Sequence, residues 1–269
     1  MILQVKTPRL ELWRIDGPFT NVPHTHDDDY QITVPMYGIC HFTLENRNYR
    51  LADGGGLVQH PKERHVFEIG KADGVYIFKA GQEGLRAFAR RDSLELDLKQ
   101  QFDRTQLAGR FRGWMDALLA HDPEDQLAQE EVESEVFAYL CGAMSGNHRE
   151  AGAFWTIGDR AAASGADSYM MQALDYVHAH YADTITVEEL AAIAMQSRFH
   201  FIRSFKAAFG ATPYQYVIRL RIEEAKRLLR RTDRSVTDIG LGLGFASVSA
   251  FHRAFAKAVG RSPEQYRRS

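Results

Sequence analysis

The chain is poor in several things, and each shortage removes a class of protein. Its 269 residues include two cysteines, Cys40 and Cys141, too few for a disulfide framework, so reduced thiols are expected. No apolar run approaches the roughly twenty residues that a membrane-crossing helix needs, and no basic-then-apolar leader opens the sequence. These absences predict a soluble protein of the cytoplasm with no membrane partner. An excess of one charge is missing too: 33 Lys and Arg stand against 35 Asp and Glu, a net of −2. That balance hides a division. Residues 169–269 hold 15 Lys and Arg against 9 Asp and Glu, a surplus of +6, and residues 1–168 carry −8. A polyanionic partner therefore belongs to the C-terminal half. The length leaves room for two domains of ordinary size.

What is present is clearest in 186–267, where one pattern occurs twice. Ser197, Phe201, Arg203, Phe205, Gly210, Thr212-Pro213 and Tyr216 return about fifty residues later as Ser247, Phe251, Arg253, Phe255, Gly260, Ser262-Pro263 and Tyr266. Such duplication marks a repeated supersecondary unit. Each copy opens with a helix-start signal, Thr186-Val-Glu-Glu189 or Ser235-Val-Thr-Asp238. A short apolar helix, a turn and a second helix starting at Ser197 or Ser247 follow. Phe201, Phe205 and Ala208, or Phe251, Phe255 and Ala258, recur at helical spacing and predict a buried stripe. Two helices joined by a tight turn, the second carrying polar and basic residues, make a helix-turn-helix pattern. Gln215 and Gln265, three residues after Thr212 and Ser262, predict a further capped helix after each copy.

At this point the sequence resembles the AraC/XylS-type transcription regulators. The resemblance rests on Arg203-Ser-Phe-Lys206, Gly210-x-Thr212-Pro213-x-x-Tyr216, Arg219-Leu220-x-x-x-x-Ala225, Leu228-Leu229, Gly244-Phe245-x-Ser247 and Phe251-x-Arg253-x-Phe255. It covers about the last hundred residues, and many separate positions agree in order and spacing. Gly240 stands where Ala is usual and Ala256 where Lys is usual, which weakens the expected hold of the second unit on DNA. Matching to the family pattern, the first reading helix exposes Arg198, Phe199, Ile202 and Arg203, and the second exposes Val248, Ser249, His252 and Arg253. Arg suits guanine through paired hydrogen bonds to O6 and N7, and Phe199, Ile202 and Val248 suit thymine methyls. For Arg203 and Arg253, a phosphate contact or an intradomain ion pair is the competing role. The helix 213–231 joins the units. Its Arg219, Arg221, Lys226, Arg227, Arg230 and Arg231 form either a solvated face or phosphate contacts. Rigid coupling through it would set the reading helices in successive major grooves about 34 Å apart.

Residues 8–80 read as strands: Leu10–Ile15, Tyr30–Val34, Ile39–Leu44, Gly56–Val58, Val66–Ile69 and Val75–Phe78, separated by Gly, Pro, Asn and Asp clusters. Regular spacing without intervening helices predicts an antiparallel barrel or sandwich. His24-x-His26 within it places two imidazoles on one strand face. The order His24, His26, Gln31, Gly38, Gly54-Gly55-Gly56, Pro61, His65 resembles the two motifs of a cupin, which the family's sensor domain also implies. In metal-binding cupins the corresponding His, His, Glu and His hold a divalent ion; here the Glu position carries Gln31, a poorer ligand, and Lys62 replaces a Gly. His24, His26, Gln31 and His65 are thus expected to line an effector pocket. Two roles remain open for the histidines. They bind an organic effector, or His24, His26 and His65 bind zinc or nickel with Gln31 or water completing the shell. No cofactor is otherwise required. His41 and His60 are lone histidines with ordinary surface or core roles.

Residues 83–145 turn helical, with Phe111, Trp114, Met115, Leu118 and then Val132, Val136, Phe137, Leu140 at helical spacing. The expected fold class is α+β with two domains. Residues 1–146 form a cupin-like antiparallel β-barrel (about 8–80) with packed helices (about 83–145). Residues 147–167, rich in Ala, Gly and Ser, form a flexible linker. Residues 168–269 form an all-α domain with helix-turn-helix units at about 186–209 and 235–258.

Three functions compete. The first is a ligand-responsive, sequence-specific regulator of transcription; the family implies an activator, a homodimer through one of the helices in 83–145, a small-molecule effector, operator DNA and RNA polymerase as partners. The second is a cupin metalloenzyme with an accessory DNA module. The third is a DNA-binding protein whose barrel only dimerises. The duplicated helix-turn-helix favours the first and third. No catalytic base, nucleophile or second carboxylate accompanies His24 and His26 in their motif, so no catalytic residue is assigned and an enzyme is not expected.

Overall fold

Alternation of apolar and polar residues makes strands of the N-terminal third, and the computed structural model follows it. The model describes residues 1–89, 96–120, 125–144 and 166–268. Contacts divide these into two compact units, one holding the described residues of 1–117 and 133–155, the other those of 118–132 and 156–269.

In the first unit the strands are β1 (Ile2–Lys6), β2 (Leu10–Asp16), β3 (Phe19–Thr20), β4 (Asp29–Tyr37), β5 (Cys40–Leu44), β6 (Arg47–Leu51), β7 (Gly55–Gln59), β8 (His65–Ile69), β9 (Gly74–Gly81) and β10 (Lys99–Gln101). They form two antiparallel sheets, six strands in the order β1-β2-β9-β4-β7-β10 and four in the order β3-β8-β5-β6. The expected barrel is therefore an open pair of sheets, not one closed ladder, and β1 and β10 extend it beyond residues 8–80. In β5, Cys40, Phe42 and Leu44 are buried while His41 is exposed, the period-2 pattern of a strand with one wet face. Ile15, Leu57, Val75 and Ile77 of the large sheet share one core with Phe42, Leu44, Phe67 and Ile69 of the small one. Glu45 and Asn46, both at positive φ, make the two-residue turn between β5 and β6.

Helices α1 (Gln82–Ala89), α2 (Arg104–Ala120) and α3 (Gln126–Met144) follow. Phe111 of α2 stacks on Tyr76 at 4.1 Å and meets Phe78 edge-on, so this helix covers the outer face of β9. The stripe expected on α3, Val132, Val136, Phe137 and Leu140, is buried. Only the later part of α3 groups with the sheets. Its opening turns, up to Val132, group with the C-terminal helices, although the sequence placed all of 83–145 in the first domain. The proposed linker 147–167 falls almost wholly outside the described residues.

The second unit contains α4 (Ala166–His180), α5 (Val187–Ile193), α6 (Arg198–Phe209), α7 (Pro213–Arg231), α8 (Val236–Gly242), α9 (Val248–Val259) and α10 (Pro263–Arg267). Its starts are written locally. Thr186–Glu189, Thr212–Gln215 and Ser262–Gln265 are complete capping boxes. Ser235 and Ser247 accept from the backbone three residues on, whereas Ser197 starts α6 with no side-chain cap. Two cores result. Val217 of α7 joins Phe201, Phe205, Leu190 and Val187 in one; Ile222, Ala225 and Leu229 of the same helix join Phe251, Phe255 and Ile239 in the other. One rigid helix therefore serves as a wall of both.

Candidate DNA interface and histidine cluster

Both repeats fold as helix-turn-helix units: α5 and α6 over 187–209, α8 and α9 over 236–259. Each turn needs one residue in the left-handed conformation. Met195 supplies it in the first unit (φ 53°) and Gly244 in the second (φ 78°). Gly244 has a further reason to be glycine, since a Cβ there would lie 2.3 Å from the Ala182 carbonyl oxygen. Gly240, where the family pattern has Ala, lies against Phe251, whose ring would be 2.7 Å from an added Cβ. The departure is thus a packing adjustment inside the second core.

The eight residues expected to read bases are placed unequally. Ser249 and Arg253 are exposed, and Val248, His252, Arg198 and Arg203 are half-buried. Phe199 and Ile202 are only 4% and 5% exposed, which corrects their expected role: Ile202 belongs to the first core, and neither can present itself to a thymine methyl. The physical reason is that α6 buries Phe199, Phe201, Ile202 and Phe205 together, a different arc from the stripe of Phe201, Phe205 and Ala208 that the repeat suggests, and Ala208 is exposed. Arg198 is also engaged within the protein. Its Nη1 lies 3.3 Å from Glu130 Oε1 and 3.4 Å from Glu188 Oε2. On α9, His252 Nε2 lies 3.4 Å from Glu264.

The basic row of α7 divides in the same way. Arg221 is buried and donates to the carbonyls of Tyr181 (2.6 Å), Asp183 (2.9 Å) and Gly244 (2.6 Å), so it fastens the second turn to the start of the first unit and is not a phosphate contact. Lys226 and Arg227 pair with Glu223 and Glu224. Arg219, Arg230 and Arg231 are exposed. Sequence reasoning also missed Glu130 and Glu131, which are 5% and 8% exposed. Glu130 Oε2 accepts from the Val187 amide (3.1 Å), and Glu131 Oε1 accepts from the Tyr214 amide (2.6 Å). Nothing in their local pattern marks them, because a Glu in a helix ordinarily faces water.

In the first unit, His24, His26 and His65 do converge. One ring nitrogen from each lies within 4.8 Å of the others. The means differs from the expected one: His24 and His26 sit in the connection between β3 and β4, not on a strand, and His24 forms an isolated bridge with His65 at the start of β8. Each ring is oriented by an oxygen. His24 Nδ1 contacts the Val22 carbonyl at 2.8 Å, His65 Nδ1 the Glu63 carbonyl at 3.4 Å, and His26 Nε2 the Gln31 side-chain oxygen at 3.1 Å. Gln31 is held in that sense by donating from Nε2 to Thr33 Oγ1 (3.1 Å). A carbonyl oxygen only accepts, so each of these nitrogens carries a proton, and in a neutral ring the other nitrogen presents a lone pair. Gln31 thus turns its side-chain oxygen to His26. His65 Nε2 is buried with no hydrogen-bond partner. Burial, with His24, His26 and Lys79 nearby, pushes the His65 imidazole down to about 3, and burial and Lys79 also lower His26. Lys79 itself is lowered by burial and lies 4.0 Å from Glu11. His41 is exposed, and His60 Nε2 meets the Leu96 carbonyl at 3.1 Å, as expected of lone histidines. Buried Cys40 has its thiol pushed up to about 12. Among the described residues, no helix is long and apolar enough to cross a membrane.

A two-sheet sensor-type unit joined in one chain to two helix-turn-helix units sharing a helix defines a class of ligand-binding, DNA-binding protein. Comparison with known proteins agrees: residues 10–138 match the AraC-like ligand binding domain and residues 190–269 a helix-turn-helix domain. The chain belongs to the AraC-type regulators. It is 39% identical over 92 residues to the MmsAB operon regulatory protein of Pseudomonas aeruginosa, covering 34% of this chain and 30% of that protein. It is 34% identical over 103 residues to the melibiose operon regulatory protein of Escherichia coli K12, covering 38% and 34% respectively. The match thus spans about a third of the length of these curated relatives. Among solved structures, the DNA-binding domain of AdpA in complex with a target DNA is 34% identical, covering 37% of this chain and 89% of that one with a TM-score of 0.36.

Proposed function

We propose that this protein is a sequence-specific transcription regulator, an activator, controlled by a ligand of its first unit. One observation carries the reading: two helix-turn-helix units share α7 as a common wall in the half of the chain with surplus positive charge. Shared packing of this kind fixes one reading helix relative to the other, which binding to a single duplex requires. The curated relatives described above are named as operon regulators, which supports a regulator over an enzyme. The test is selection of binding sites from a random duplex pool, followed by affinity measurement against salt. A preferred sequence and a steep fall of affinity with salt are expected. Binding with neither would overturn the reading. The site of action is then the cytoplasm, with operator DNA, a homodimer and RNA polymerase as partners; sedimentation with and without operator tests the dimer.

The convergence of one ring nitrogen from each of His24, His26 and His65 favours a divalent transition metal as the ligand of the first unit. Neutral imidazoles with their remaining N–H groups donated to oxygens are the form and support that zinc or nickel ligands take. Bonds of about 2.0–2.1 Å set ligand nitrogens roughly 3.4 Å apart, so the rings rotate inward on binding. Lys79 opposes a cation there and Glu11 offsets it. Calorimetry with zinc and nickel on untagged protein should give one site per chain, lost in His65→Ala and in His24→Ala/His26→Ala. Absence of binding by either metal would leave an organic effector or a dimerising module. Steady turnover of a small substrate would instead revive the enzyme.

A further inference from the structure

Two buried carboxylates of α3 serve neither the first unit's core nor any base-reading role, and their positions are unusual. Within the second unit, the opening turns of α3 touch the starts of three successive helices. Glu130 accepts from the Val187 amide at the first residue of α5 and pairs with Arg198, the first residue of α6. Glu131 accepts from Tyr214, the second residue of α7, and Leu127 enters the first core. A Glu this deeply buried is kept in place by its partners, because removing one of them strands a desolvated charge.

We propose that Glu130 is a positioning residue that competes with DNA for Arg198, holding down the affinity of the first helix-turn-helix. This rests on the assignment of α6 as a reading helix. The Arg198 side chain is 18% exposed, so its guanidinium reaches solvent while one edge faces Glu130. A phosphate or guanine that draws this group outward must break the pair with Glu130. Binding then carries that cost, and relief of it strengthens binding. Because α3 is one helix contributing residues to both units, displacement of its opening turns would release Arg198. Glu188, the exposed second carboxylate on Arg198, competes with less force because water screens it.

The experiment compares full-length wild type, Glu130→Gln, Glu188→Gln, Arg198→Ala and the Glu130→Gln/Arg198→Ala double variant on duplex DNA, both selected and random. Thermal melting of each variant is recorded alongside. Gln keeps an oxygen for the Val187 amide, removes the charge and turns the acceptor facing Arg198 into an NH2 donor. Glu130→Gln should tighten binding about fivefold and steepen the salt dependence by about one counterion. Glu188→Gln should do the same by about twofold. Arg198→Ala should weaken binding and abolish the Glu130→Gln gain, the signature of direct coupling. A purely structural Glu130 would change the melting temperature without tightening DNA. If Arg198→Ala weakens binding but neither Gln variant tightens it, or if the gain persists without Arg198, this inference is wrong while the regulator reading stands. If Arg198→Ala leaves DNA affinity unchanged, the assignment of α6 fails and the inference with it.

Discussion

In the first helix-turn-helix the reading helix opens on Arg198, half-buried between Glu130 and Glu188 and followed by the buried Phe199 and Ile202. In the second it opens on Val248 and presents Ser249 and Arg253 to solvent. The two units have matching core phenylalanines, yet the start of the first reading helix carries the Glu130–Arg198 pair, whereas Arg253 of the second is exposed. Duplication therefore copied a scaffold, while exposure of the reading face was set by what packs beside each copy.

That comparison can be broken at several levels. The largest effect is expected in the cores. Phe205→Ala and Phe251→Ala each remove a fully buried ring, and each should cost about 3–5 kcal/mol in denaturant unfolding. A cost in one copy several times that in the other would show that the repeats are not equivalent scaffolds. Next come the turns. Gly244→Ala forces a Cβ against the Ala182 carbonyl at positive φ and should destabilise by about 2–3 kcal/mol. Met195→Gly relieves a left-handed non-glycine whose side chain is 76% exposed, and should be neutral or stabilising by up to about 1 kcal/mol. Opposite signs in thermal melting are the expected outcome, and equal losses would contradict it.

Smaller effects concern DNA. Arg253→Ala on the exposed face of α9 should weaken duplex binding about tenfold. If its salt slope falls by about one, Arg253 meets a phosphate; if sequence preference relaxes at one position with the slope unchanged, it reads a base. The smallest is Ala256→Lys, which gives the second helix the charge that Lys206 supplies at the matching exposed position of the first. A gain of about twofold to threefold, seen at low salt and lost at high salt, is expected. No gain would mean that neighbouring Lys257 already fills that role.

The sequence by itself determined the repeated helices, their capped starts and the phenylalanine cores, because caps and helical periodicity are decided within a few residues. Thr186, Thr212 and Ser262 act where their spacing to Glu189, Gln215 and Gln265 said they would. The histidine cluster was legible as composition, but its geometry was not: His24 meets His65 through a bridge between chain segments 41 residues apart, outside any regular strand alternation. The strand spacing left barrel and sandwich both open, since ladder closure depends on which strands pair, not on what each contains. Only the tertiary structure placed Phe199 and Ile202 inside, spent Arg221 on backbone carbonyls, and carried Glu130 to Arg198. A side chain on a helix meets a partner distant in sequence only when another element brings one, and that long-range packing is written in no local pattern.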